Sequence, residues 1–152
     1  MTGRFYVLAG RIGRPRYLSA ADLRSLVRGG MTVGLHGRDH LDWRRLDENA
    51  LADELVGARH TIAAAAGRSV DEVAIPFGAY DRRVIRRLQE EGFARILTSD
   101  RGTFRPSARI WNRTSIRDDM TDAEIGAILS GHARPATRIR RAASRFARRH
   151  LR

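Results

Sequence analysis

The sequence predicts an α/β domain in which parallel strands are joined by crossover helices. Three observations carry that reading. Short apolar runs alternate with amphipathic segments of ten or more residues at least three times, the pattern that parallel pairing requires. Several amphipathic segments open on a capping residue and close at glycine. The chain has 152 residues and 42% apolar content, enough for one globular domain plus a tail, with no run near the ~20 apolar residues of a membrane span.

Phe5-Tyr6-Val7-Leu8-Ala9, closed by Gly10, reads as a strand buried on both faces. Ser19 to Arg28 follows as a capped helix, with Asp22 three residues after Ser19, Leu23, Leu26 and Val27 on one face, and Gly29-Gly30 as the stop. Met31 to Leu35 is the second strand. Asp47 to Ala66 is a long helix with Leu51, Leu55, Ala58 and Ile62 in line. Val73 to Phe77 is the third strand, Asp81 to Glu91 a helix carrying Val84, Ile85 and Leu88, and Ala94 to Thr98 the fourth strand after Gly92. Arg109 to Ile116 reads as a fifth strand, and Thr121 to Ser130 as a helix that opens on a Thr121-x-x-Glu124 capping box and closes at Gly131. A closed eight-stranded barrel typically uses ~250 residues, so residues 1–132 make either a small open sheet or a piece of a barrel.

Composition narrows the chemistry. The absence of cysteine excludes disulfides, thiolate zinc sites and a cysteine nucleophile. The net charge of +12 comes from 29 basic residues, all Arg, which reads as a coding bias as much as an adaptation. Residues 133–152 hold eight Arg and no acid, leaving the body with 21 Arg against 17 Asp and Glu. The body is therefore mildly basic, and no nucleic-acid reading motif accompanies the charge, so no specific nucleic-acid partner is expected. Residues 137–151 form a cationic amphipathic pattern with Ile139, Phe146 and Leu151 near one face. Such a helix suits an anionic membrane surface or phosphates, or else docks its thin apolar stripe on the body. Arg4 and Arg11 interrupt and follow the first apolar run, so the sequence as written has no signal-peptide core, which reads as cytoplasmic; a chain begun further upstream would leave its location open.

His36-Gly37-Arg38-Asp39-His40 directly follows the second strand, at the carboxyl end where α/β folds place their sites. Two imidazoles four residues apart can meet one metal, although Gly37 rules out the helical HExxH arrangement; the plain alternative is a pair of hydrogen-bonded loop histidines. Ala74-Ile75-Pro76-Phe77-Gly78-Ala79-Tyr80-Asp81 ends the third strand and caps the next helix. Pro76 and Gly78 stiffen the turn, while Phe77 and Tyr80 offer rings on which a sugar could stack. Asp100 ends the fourth strand and so faces the same mouth, where it serves either the site electrostatics or a simple Asp-x-Gly turn. His60 lies among small residues in the long helix and receives no role.

Together the two segments resemble a known family. His36 to Asp42 is similar to the metal-binding motif of polysaccharide deacetylases with the NodB-homology domain, carbohydrate esterase family 4. Ile75 to Asp81 resembles that family's Pro-aromatic-Gly groove motif, and the likeness runs from Phe5 to about Gly131. The resemblance implies a distorted (β/α) barrel, incomplete here, a divalent metal that is usually zinc, and hydrolysis of an N-acetyl group on a carbohydrate. It makes His36 and His40 two of three protein ligands and places Pro76, Phe77, Gly78 and Tyr80 along the substrate groove. A carboxylate would take a proton from the attacking water, and an acid would protonate the leaving amine.

The sequence departs from that pattern in three places. The family's strand ending in consecutive Asp residues, which give the base and the third ligand, lies before the strand that matches Phe5 to Ala9. Ala74 stands where the family's groove motif usually has an Arg that orients the base, with Arg113 the candidate for a compensating guanidinium. The family's general-acid His has no clear match, and His132 reads as a surface residue. The expectation is thus a deacetylase-like domain over residues 1–132 that lacks its first unit and is truncated or inactive as given, followed by an Arg-rich amphipathic helix over 133–152. A noncatalytic carbohydrate- or surface-binding relic of the same fold is the alternative.

Overall fold

Parallel register organises the fold seen in a computed structural model, which describes residues 2–131 together with Ala143, Phe146 and Ala147. Five strands, β1 (Arg4–Val7), β2 (Thr32–Leu35), β3 (Glu72–Ala74), β4 (Arg95–Thr98) and β5 (Ile110–Asn112), pair in chain order, each parallel to the next. Among the described residues the sheet stays open between β1 and β5. This is the α/β class with crossover helices that the alternation predicts, and its sequential strand order is that of a barrel segment. Apart from those three residues, the expected tail helix of residues 133–152 lies outside the described residues, as does His132.

Helix α1 (Ala20–Arg28) starts at a capping box in which Ser19 Oγ accepts the Asp22 N–H and the Asp22 carboxylate accepts the Ser19 N–H. The long second helix is three pieces: α2 (Glu48–Ala52), a π turn (Asp53–Gly57) and α3 (Ala58–Ala66), with Asp47 as N-cap. Helices α4 (Arg82–Glu90) and α5 (Asp122–Leu129) are capped by Asp81 and Thr121. One face of the sheet carries the main core, where Val33, Leu35, Val73, Ile75 and Ile96 meet Leu51, Leu55, Ile62, Val84 and Leu88. The other face holds a smaller cluster of Ala74, Leu97 and Trp111, with Tyr6 packed against it.

Four expectations about elements need correction. β1 is not buried on both faces: it forms the sheet margin, α1 and α3 pack on β2, and Phe5 keeps 38% of its surface exposed. The third strand stops at Ala74, because Pro76 brings no N–H to continue a ladder and instead opens a 3₁₀ turn at Pro76–Gly78. The first strand likewise yields to a 3₁₀ turn at Ala9–Arg11, and the fifth is confined to Ile110–Asn112. No helix among the described residues is long and apolar enough to cross a membrane.

Leu88 is fully buried in the main core. Truncating it removes transfer energy and leaves a cavity, so Leu88→Ala should lower unfolding free energy by about 2–5 kcal/mol in urea titrations. A loss below ~1 kcal/mol would contradict the packing of α4 against the sheet.

Candidate functional site

The carboxyl ends of β2, β3 and β4 share one end of the sheet, as parallel strands must. Leu35 pairs with Val73, so His36 emerges beside Ala74, and His36 Nδ1 lies 2.7 Å from the Ala74 carbonyl oxygen. A carbonyl only accepts, so Nδ1 carries the proton and Nε2 of the neutral ring keeps its lone pair. Burial pushes the His36 pKa below its ordinary value and outweighs the opposing hydrogen bond to Ala74; the nearby charges of His40 and Arg113 push the same way as burial. His36 is therefore a half-buried neutral imidazole with one nitrogen tied and the other available.

His40 ends the same loop in the left-handed region, at φ 64°, and its ring centroid stands 4.9 Å from that of His36. The two imidazoles that the spacing pairs are thus brought together. Phe77, also left-handed at φ 56°, lies against His40, with ring centroids 4.3 Å apart, and remains 66% exposed. A bulky residue in that region is strained, and such strain persists only where the surroundings enforce it. Gly78, buried at φ 63°, lies so close to β4 that a Cβ would stand 2.5 Å from the Ser99 Cβ. Pro76 is buried beneath this turn. From the β1 edge a groove of about 190 Å³, lined by Phe5, Tyr17 and Leu18 among others, also reaches His36.

Tyr80 does not offer a stacking face. It is only 2% exposed, because its side chain belongs to the main core. Its hydroxyl donates to Asp100 Oδ2 at 2.6 Å, and Thr98 Oγ1 lies 3.0 Å from the same oxygen. Asp100 is accordingly 5% exposed and set within the fold rather than presented to the mouth. Arg113 acts electrostatically on His36: its backbone N–H donates to the Thr98 carbonyl, its guanidinium reaches Thr98 O and Ser99 Oγ at 3.4 and 3.5 Å, and burial lowers its pKa.

The loop also contains Asp39 and Asp42. Asp42 caps the 3₁₀ turn Trp43–Arg45 and is held by Arg44, whose hydrogen bonds keep the carboxyl below the usual carboxylate range. Asp39 lies 3.5 Å from the Arg38 guanidinium. Among the described residues no group of three His, Asp or Glu side chains is placed to share a metal ion. The donors fit two positions of a zinc shell and not a whole one. Sequence reasoning missed Glu54, a 3% exposed carboxylate that accepts three N–H bonds from the segment 38–43.

Residues 1–96 match the family model described as polysaccharide deacetylase, and the chain belongs to that family, whose members act on acetylated carbohydrates and generally use a divalent metal. No curated protein sequence matches it. Among solved structures it is similar to a polysaccharide deacetylase from Bacillus cereus, at 20% identity and TM-score 0.73 over 83% of this chain and 41% of that one. A Streptococcus pyogenes deacetylase in complex with acetate is similar at 16% identity and TM-score 0.73, over 82% of this chain and 57% of the other. A pseudoenzyme of carbohydrate esterase family 4 from Bacillus anthracis is similar at 21% identity and TM-score 0.55, over 63% and 33%. The likenesses bear out the fold as an unclosed segment of the distorted barrel, and the chain spans about two fifths of the Bacillus cereus protein.

Gly78→Ala should cost more stability than Gly92→Ala. Both positions have positive φ, but nothing lies within 4 Å of a Cβ at Gly92, so that variant reports the backbone term alone. The expected losses in thermal or urea melts are about 1 kcal/mol for Gly92→Ala and up to about 3 kcal/mol for Gly78→Ala. Equal losses would show that Ser99 gives way without cost.

Proposed function

We propose that this domain serves metal-dependent removal of N-acetyl groups from a carbohydrate, and that the described residues supply the two-histidine half of its metal site together with the aromatic rim. The observation that carries the reading is the His36–His40 pair at the end of β2, with Nδ1 of His36 tied to Ala74. Nε2 of His36 and the His40 ring would hold the ion, and two imidazole donors favour zinc over magnesium or calcium. Once bound, such an ion supplies Lewis acidity, which polarises an amide carbonyl and lowers the pKa of a water.

The remaining roles belong to the chain's own side chains. The exposed face of Phe77, beside His40, receives a sugar ring and so brings an N-acetyl group toward the histidines. Pro76 and Gly78 hold that face in place by stiffening the turn. Arg113, half-buried and electrostatically coupled to His36, offers N–H groups to a carbonyl or carboxylate oxygen of the bound acetyl group. Asp100 acts at a distance, by fixing Tyr80 and Thr98 behind the mouth. Proton transfer needs a base within hydrogen-bond reach of the reacting water, and Asp39 and Asp42 are committed to neighbouring guanidinium groups. That shortage of carboxylates among the described residues favours a second reading, in which the same mouth binds carbohydrate without turning it over.

Two measurements on the 152-residue chain separate these readings. Calorimetric titration should show weak zinc binding that His36→Ala abolishes, since stable sites usually offer three or four ligands. Zinc binding that His36→Ala leaves unchanged would overturn the two-histidine site. Acetate release from N-acetylglucosamine oligomers by the zinc-loaded chain should be slight, because a positioned base typically contributes 10²- to 10⁴-fold. Robust release would eliminate the noncatalytic reading and require a base that the geometry does not offer.

A further inference from the structure

Glu54 breaks the pattern of its own helix. It stands three residues after Leu51 and next to Leu55, on the flank that buries Ala58 and Ile62, where helical periodicity asks for an apolar side chain. An ionised carboxylate taken out of water is costly unless its oxygens are satisfied. Each of the bonds that satisfies it comes from one short segment: Oε1 accepts the Asp39 N–H at 2.8 Å, and Oε2 accepts the Arg38 N–H at 3.1 Å and the Trp43 indole N–H at 3.0 Å.

The same loop is gripped from its other side. The carbonyls of Gly37 and Arg38 accept the N–H groups of Ala9 and Gly10, both at 3.0 Å. The loop carbonyls thus face the turn after β1 while its amides face Glu54. Gly37, at φ 92°, completes the fit, because a Cβ there would overlap Glu54 Oε2 and stand 3.3 Å from the Trp43 ring. Glu54 itself lies in the π turn between α2 and α3, a local change of winding that is often found at functional sites.

We propose that Glu54 is a positioning residue for the metal site: by accepting three N–H groups it holds the 36–40 loop in the conformation that brings both imidazoles to one ion. The inference rests on the two-histidine reading for its purpose, and on the hydrogen bonds alone for its mechanism. The left-handed His40 is the beneficiary, because a residue in that conformation returns to an ordinary one when its neighbours release it. A glutamine at position 54 keeps the shape but has one acceptor oxygen. Its amide end would face a donor with a donor, so at least one of the three bonds is lost.

The test uses the full chain as parent, Glu54→Gln and Trp43→Phe, with His36→Ala as the control for the metal. In the metal-free proteins, NMR should show a cross-ring nuclear Overhauser effect between His36 and His40 in the parent that weakens or vanishes in Glu54→Gln while the melt stays cooperative. Zinc affinity of Glu54→Gln should fall by ~10- to 100-fold, the usual effect of removing a group that orients metal ligands. A Glu54→Gln protein that keeps both the ring contact and the parent's affinity overturns the proposal. Should parental zinc binding not depend on His36, the metal reading fails, and the metal-free ring contact still decides the positioning role: its loss supports it and its retention refutes it. If Glu54→Gln does not fold, Trp43→Phe removes one donor while keeping an aromatic ring. It should weaken the ring contact, and an unchanged contact would count against the proposal.

Discussion

The hydrogen bond between His36 Nδ1 and the Ala74 carbonyl joins the sheet to the site, and the rest of the mouth is arranged around it. It exists because parallel register sets Leu35 against Val73 and so delivers the next residue of β2 to the next residue of β3. One contact then does three things. It fixes the tautomer, orients the ring and leaves Nε2 as the free donor atom. Shifting β2 by one residue would turn His36 to the helix side and Leu35 to the mouth, because strand side chains alternate faces. The large helix-side core, which allows Leu35 and Val73 only one orientation, is what prevents that slip.

The two faces of the sheet have different characters. The helix-covered face is almost wholly apolar, whereas the opposite face carries a buried Glu72 that accepts from Arg4 Nε and Tyr6 OH and pairs with Arg95. Arg4 and Arg95 also lie over the Trp111 ring, at 5.1 and 4.8 Å from its centroid. Burial and the Glu72 hydrogen bond push the Tyr6 pKa well up, so its hydroxyl stays a donor. This polar network ties the sheet margin β1 to β3 and β4 on the face opposite the main core. Arg113, the residue after β5, acts electrostatically on both Tyr6 of this network and His36.

Much of this was legible in the sequence. Helices α1, α2, α4 and α5 each begin at the capping residue their sequence offers, because Ser19, Asp47, Asp81 and Thr121 each accept a backbone N–H that the helix cannot satisfy internally. The pairing of His36 with His40 was readable from spacing and from position at a strand end. What escaped reading depends on partners distant in sequence. Whether Tyr80 stacks on a ligand or fills the core is decided by its packing against residues from several elements, and nothing local distinguishes the two. The exposure of β1 follows from its place at the margin of the sheet. The burial of Asp100 follows from a hydroxyl twenty residues earlier. Glu54 did leave a signal, a charge at an apolar-periodic position, and violations of that kind mark positions held for reasons other than packing.

The central claim is that one ion meets both imidazoles of the 36–40 loop. X-ray absorption at the zinc edge tests it most directly, because the ring carbons of coordinated imidazoles scatter at distances that count them, beyond zinc–nitrogen bonds of about 2.0–2.1 Å. The zinc-loaded chain should show two imidazoles per zinc, falling to one in His40→Ala. A parent spectrum with a single imidazole, or one that His40→Ala leaves unchanged, would contradict the account.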